Sequence, residues 1–128
     1  MQKKIFVIDN DVHIQFAFSK VLEKEGCQCY TATSNSEACL QITEKKPDAL
    51  FIDISCRYPE IKDMLDQHKK GELDVPLFII TSLCTDELKE WCKKNNVVDI
   101  LEKPVSVNTI RKALKKLDLT KQTDHSSK

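Results

Sequence analysis

The sequence predicts an α/β fold, a five-stranded parallel sheet with helices on both faces. Short β-branched or apolar runs alternate with longer helix-like segments five times along 128 residues. That is the pattern of parallel strands joined by crossover helices. The runs at 5–8, 49–52 and 77–80 are almost continuously apolar, as expected of strands covered from both sides. The chain has only two glycines, Gly26 and Gly71, which argues against most all-β designs.

Strands are expected at Lys4–Asp9, Gln28–Thr33, Ala49–Asp53, Leu77–Thr81 and Val97–Leu101, and helices near 11–25, 35–45, 59–70, 85–95 and 107–117. Asp11 suits the N-cap of the first helix, where Ile14, Phe18, Val21 and Leu22 form one apolar stripe that stops near Gly26. Ser34 and Glu37 have capping-box spacing for the second, and Pro47 falls beyond its end. The third rests on Ile61, Met64 and Leu65 alone, between Pro59 and Gly71. Thr85 suits the cap of the fourth, whose Leu88 and Trp91 share a face. Ile110, Leu114 and Leu117 mark the fifth. Residues 1–119 read as one domain, and the polar 120–128 as a tail or linker stub.

The totals exclude several functions. Lys plus Arg and Asp plus Glu number 20 each, so net charge is zero. A protein gripping a nucleic-acid backbone would carry a basic excess, so no direct nucleic-acid partner is expected. No Walker motif or G-x-G-x-x-G run is present. No apolar stretch approaches the ~18–20 residues of a membrane span, so no membrane partner is expected. Met1–Lys4 lead straight into a strand without a leader pattern. The expected location is therefore cytoplasmic, with all six cysteines as free thiols. Cys27 and Cys29 sit on one face of a strand with no second pair to complete a metal set, so they read as packing residues.

In an open parallel sheet, functional groups gather beyond the carboxyl ends of the strands. Here the first strand ends at Asp9-Asn10-Asp11, the third at Asp53 and the fourth at Thr81-Ser82, and Lys103-Pro104 follows the fifth. Carboxylates, a hydroxyl and a lysine would converge at one edge. Carboxylates bind hard cations such as Mg²⁺ and can attack phosphorus. A lysine and a hydroxyl neutralise the charge of a transferred phosphoryl group.

Over residues 3 to about 118 the sequence resembles response-regulator receiver domains, whose flavodoxin-like fold has strand order 2-1-3-4-5. The resemblance rests on Phe6-Val7-Ile8-Asp9-Asn10-Asp11, Ala49-Leu50-Phe51-Ile52-Asp53, Phe78-Ile79-Ile80-Thr81-Ser82 and Asp99-Ile100-Leu101-Glu102-Lys103-Pro104. Asp53 follows Asp9 by 44 residues, Thr81 follows Asp53 by 28, and Lys103 follows Thr81 by 22. The resemblance implies that Asp53 is the phosphoacceptor. Asp9, Asn10, Asp53 and the backbone carbonyl of Ser55 would hold Mg²⁺, and Thr81 and Lys103 would bind phosphoryl oxygens. It also implies a cis Lys103-Pro104 bond. The partners would be a sensor histidine kinase or histidine phosphotransfer protein, and an output protein met through the fourth helix, fifth strand and fifth helix. The resemblance thus implies a signalling domain rather than an enzyme.

Three positions and one loop depart from the family pattern. Asn10 stands where a second Asp is usual, so Mg²⁺ binding is expected to be weaker. Ser82 replaces a smaller Ala, and Ile100 replaces a switching aromatic. The loop Ile54–Pro59 has its proline displaced and lacks a glycine. Two readings stay open: a phosphorylation-dependent module, or a degenerate receiver that binds its partner without phosphorylation. A flavin-binding protein of the same topology is disfavoured, because Asp9-Asn10-Asp11 would repel the cofactor phosphate.

Overall fold

The computed structural model describes residues 2–33, 41–42, 44–54 and 75–126, with residues 119–126 described as backbone only. Five strands form one parallel sheet: β1 (Lys4–Ile8), β2 (Gln28–Ala32), β3 (Ala49–Asp53), β4 (Leu77–Thr81) and β5 (Val97–Glu102). Their order is β2-β1-β3-β4-β5, the doubly wound arrangement expected. The long helices are α1 (Val12–Lys24), α2 (Asp86–Lys94) and α3 (Val107–Ser126). Residues 41–42 and 44–45 are helical, within the second expected helix. Its expected caps Ser34 and Glu37, the third expected helix and Ser55 lie outside the described residues.

Side-chain alternation sorts the sheet into two cores. Ile5, Val7, Phe51, Phe78 and Ile80 face α1 and α3, where they meet Phe18, Leu22, Ile110, Leu114 and Leu117. Phe6, Ile8, Leu50, Ile52, Leu77 and Ile79 face the opposite side and meet Leu88 and Cys92 of α2, with Trp91 half-buried beside them. The uninterrupted apolar runs read from sequence are thus two alternating sets, each with its own helical layer.

The helix ends follow local chemistry. Asp11 caps α1 by accepting from the His13 N–H at 2.9 Å, and Gly26 leaves it with φ 81°, a conformation open to glycine at little cost. Thr85 caps α2 through its Oγ1 and the Leu88 N–H, 3.1 Å apart. The last helix departs from expectation. It continues through Ser126, so most of the polar 120–128 segment, expected as a tail, extends its backbone. No glycine or proline interrupts 107–126, and polar residues such as Lys121 and Gln122 are good helix formers that end nothing by themselves.

Phe51 sits at the centre of the first core. Its ring stacks on Phe78 with centroids 4.5 Å apart and meets Phe18 at 5.3 Å. Phe51→Ala removes a fully buried ring between two others and is expected to cost about 3–5 kcal/mol of stability. Urea denaturation checks this; a loss below ~1 kcal/mol would mean the three rings do not pack as described.

Candidate functional site

The strand register explains why Asp9 and Asp53 meet. β1 and β3 pair with Ile8 beside Ile52, an offset of 44 residues, the same as the separation of Asp9 and Asp53. The two carboxylates therefore stand side by side at the ends of neighbouring strands, on the α1/α3 face. Between β3 and β4 the register places Asp53 beside Ile80, not Thr81. Thr81 is one step further on and points to the α2 face. Between β4 and β5, Thr81 pairs with Glu102, so Lys103, one step on again, returns to the carboxylate face.

Backbone hydrogen bonds carry this order just past the strands. The Asp9 N–H donates to the Ala32 carbonyl at 3.1 Å, Ile54 N–H to Ile80 at 3.0 Å, and Lys103 N–H to Thr81 at 2.7 Å. The Lys103-Pro104 bond is cis, as the resemblance implied.

The Lys103 Nζ lies 3.1 Å from Asp53 Oδ2, to which it donates a hydrogen bond, and 3.3 Å from Asp9 Oδ2. Both carboxylates are buried, Asp9 at 1% exposure and Asp53 at 7%. Asp9 Oδ1 accepts from the Asp11 N–H at 2.9 Å. Its Oδ2 is buried and makes no hydrogen bond of good geometry; the Lys103 ammonium pairs with it at 3.3 Å. Burial is the main reason the Asp9 carboxyl is pushed up to about 6. The Asp53 charge adds to the rise, while the Asp11 N–H and the Lys103 ammonium oppose it. For Lys103, burial alone would lower the pKa. The hydrogen bond to Asp53 and the charges of both carboxylates outweigh it and hold the ammonium above the ordinary lysine range.

Asn10 is exposed beside this pair. Asp11 turns its side chain to the helix cap. Among the described residues no three carboxylate, imidazole or thiol groups converge as a metal set. The donor set nevertheless suits Mg²⁺, which binds through one or two carboxylates, neutral oxygens and retained waters. Among the described residues two buried carboxylates face one ammonium, and Asp9 Oδ2 accepts no hydrogen bond.

Thr81 is buried but engaged elsewhere. Its hydroxyl donates to the Leu83 carbonyl at 3.1 Å and accepts from the Leu83 N–H at 3.2 Å. Beside it lies a cleft of about 390 Å³, lined by Ile54, Thr81, Leu83, Thr85, Glu87, Leu88 and Trp91. Ser82 is exposed, and Ile100 packs half-buried on the α2 face. Sequence reasoning missed Gln15, whose side-chain amide reaches the backbone at the ends of β1 and β2. The available signal was a polar residue three before Phe18, continuing the buried stripe toward the sheet edge.

The sequence profile of the response regulator receiver domain matches residues 5–115. The chain belongs to this family. The receiver is 24% identical over 116 residues to sporulation initiation phosphotransferase F of Bacillus subtilis, covering 91% of this chain and 94% of that protein. It is 25% identical over 112 residues to the nitrogen assimilation regulatory protein NtrX of Azorhizobium caulinodans, covering 86% of this chain but 25% of that protein. The chemotaxis protein CheY4 of Vibrio cholerae superposes with a TM-score of 0.81 at 19% identity, covering 91% of the receiver and 99% of CheY4. No described helix of the receiver is long and apolar enough to cross a membrane.

Cys27 and Cys29 pack with the α1/α3 core, as expected, and Cys92 lies in the opposite core. Burial raises Cys27, Cys29 and Cys92, the last to about 11, which disfavours the reactive thiolate. Cys39 and Cys56 lie outside the described residues.

The elevated Asp9 pKa gives a pH dependence of definite sign. A carboxyl whose folded pKa lies above its unfolded value binds more protons when folded. Stability therefore falls as pH rises between the two values, here from near 4 to about 6. In metal-free protein, Asp9→Asn is expected to be more stable than wild type by about 1–3 kcal/mol at pH 8, with the advantage vanishing below about pH 4. Urea melts in chelator across that range check it. A variant less stable at pH 8 would show that Asp9 and Lys103 form a net stabilising pair.

Proposed function

We propose that this receiver accepts a phosphoryl group on Asp53 from a sensor histidine kinase or a histidine phosphotransfer protein, and so changes its affinity for an output partner. The observation that carries the reading is the Lys103 ammonium between the buried carboxylates of Asp9 and Asp53. An Asp53 oxygen attacks phosphorus. The P–N bond of the donor phosphohistidine breaks, its electron pair stays on the imidazole nitrogen, and an acyl phosphate forms. Lys103, already within reach of Asp53, follows the negative charge onto a phosphoryl oxygen. Thr81 donates to another once its hydroxyl leaves the Leu83 carbonyl. Asp9, Asn10, Asp53 and the Ser55 backbone carbonyl are the groups that would hold Mg²⁺. When bound, the cation neutralises charge on the transferring group.

The output partner is expected on the face of α2, β5 and α3. The balanced charge supports a protein there rather than a nucleic acid. The cytoplasm is the compartment consistent with such partners. The neutral Asn10 and the aliphatic Ile100 favour a second reading, a receiver that binds without phosphorylation, and one experiment separates the two.

Incubated with a small-molecule phosphodonor and Mg²⁺, the wild type should gain one phosphoryl group by intact-mass spectrometry, and Asp53→Ala none. An inert wild type at saturating Mg²⁺ selects the second reading; a phosphorylated Asp53→Ala removes Asp53 as acceptor.

Asn10→Asp adds a charge where the cation is expected. The Coulomb gain is several kcal/mol at an effective dielectric of ~20, but repulsion from Asp9 and Asp53 and the dehydration of Mg²⁺ offset most of it. A net gain of roughly 1–2 kcal/mol corresponds to about 5- to 30-fold tighter Mg²⁺ binding. The variant should also melt lower than wild type without metal. Thermal melts across a Mg²⁺ titration test both effects. Identical Mg²⁺ dependence would place Asn10 away from the metal.

A further inference from the structure

We propose that Gln15 is a positioning residue that holds Asp9 in the orientation the site requires. Its Nε2 donates to the Asp9 carbonyl at 2.5 Å and to the Ala32 carbonyl at 3.2 Å. Both partners are acceptors, so only the amide nitrogen can meet them, and its two hydrogens match the two carbonyls. These carbonyls belong to the ends of two different strands. Ala32 is the last β2 residue paired with β1, and Asp9 lies one beyond that pairing. A half-buried helix glutamine ordinarily exchanges with water. This one ties α1 to both strands at the point where the acidic loop leaves the sheet.

With Gln15 in place, three polar groups of Asp9 are held. Its N–H is on Ala32, its carbonyl on Gln15, and its Oδ1 on the Asp11 N–H. The side chain is therefore fixed, and Oδ2 is the oxygen left to face Lys103. Without Gln15 the Asp9 carbonyl is released, the N–H link to Ala32 and the Oδ1 link to Asp11 remain, and the backbone that carries the carboxylate gains freedom to shift it away from Asp53. The cost falls on the geometry of Asp9 rather than on either core, since Gln15 lies outside both.

The metal side of this inference rests on the functional reading above, so its test has a metal-free arm. Amide hydrogen exchange in chelator reports the Asp9 Oδ1 bond through the Asp11 N–H. In Gln15→Met, which keeps length but has no donor, the Asp11 amide should exchange about tenfold faster, while Val7 in mid-β1 is unchanged. Gln15→Arg restores donors and should return Asp11 toward the wild-type rate. In wild type itself, the Gln15 side-chain amide protons should exchange slowly, a measurement independent of whether the variants fold. Titration with Mg²⁺ alone should then show about five- to tenfold weaker binding in Gln15→Met. Wild-type Asp11 exchange in Gln15→Met, or solvent-rate exchange of the wild-type Gln15 amide, overturns the proposal. If wild type binds no Mg²⁺ and takes no phosphoryl group, the functional reading fails while the exchange arm still decides the role of Gln15.

Discussion

Two carboxylates buried side by side cannot both stay ionised without a cation between them, and the rest of the site depends on that constraint. At contact distances the repulsion of a close pair is about 4 kcal/mol even at an effective dielectric of 20. The parallel register of β1 and β3 forces the pairing, because Asp9 and Asp53 occupy equivalent positions one step past Ile8 and Ile52. Lys103 answers it from β5, two strands beyond β3, with its ammonium 3.1 Å and 3.3 Å from the two carboxylates. Removing such a lysine leaves an uncompensated buried charge, a loss typically of about 3–5 kcal/mol. The arrangement is poor as a source of stability and useful as chemistry. It keeps the Asp53 carboxylate beside a fixed positive charge, with Asp9 Oδ2 lacking a hydrogen bond.

The sheet also divides the site between its faces. Asp9, Asp53 and Lys103 share the side of α1 and α3, whereas the register sends Thr81 to the side of α2. A hydroxyl has one proton to give, and here the Leu83 carbonyl receives it. Any acceptor near Asp53 must compete with that carbonyl. If it wins, the Leu83 carbonyl loses its donor, and Leu83, Leu88 and Trp91 line the same cleft. A change of charge on one face that drew the Thr81 hydroxyl would thus reach the loop and helix of the other through a single hydrogen bond. Ile100, half-buried on that second face, has no polar group or ring with which to register the exchange. The loop before α2 is therefore the more direct route for any response.

Much of this was legible in the sequence because parallel strands turn spacing into adjacency. The residues at 9, 53, 81 and 103 could be placed at strand ends from apolar runs alone, and strand order followed from the family those residues resemble. The face each side chain takes was less accessible. It depends on register offsets, and the β4–β5 pairing shifts between Leu77 and Phe78, which a count of residues does not reveal. Gln15 was missed for a different reason. Its partners are backbone carbonyls, and a carbonyl leaves no trace in sequence. The end of α3 was misjudged because polarity was read as a stop, although helix termination needs a breaker or a cap.

Asn10 shows what the charge balance means for this chain. A third carboxylate at that position would leave Lys103 facing three negative groups, and the metal-free site would hold more repulsion than one ammonium can relieve. With asparagine, the described residues of the site are two buried carboxylates, one ammonium and an exposed amide. It is therefore closer to neutral before any cation arrives. An asparagine there would lower the electrostatic demand for a divalent cation and raise the share of neutralisation carried by Lys103. A divalent ion drawn to the unsatisfied Oδ2 of Asp9 must approach an oxygen that the lysine already faces at 3.3 Å. A metal bound there would therefore compete with the lysine for Asp9, and the balance would turn on how firmly the Asp9 side chain is held in place.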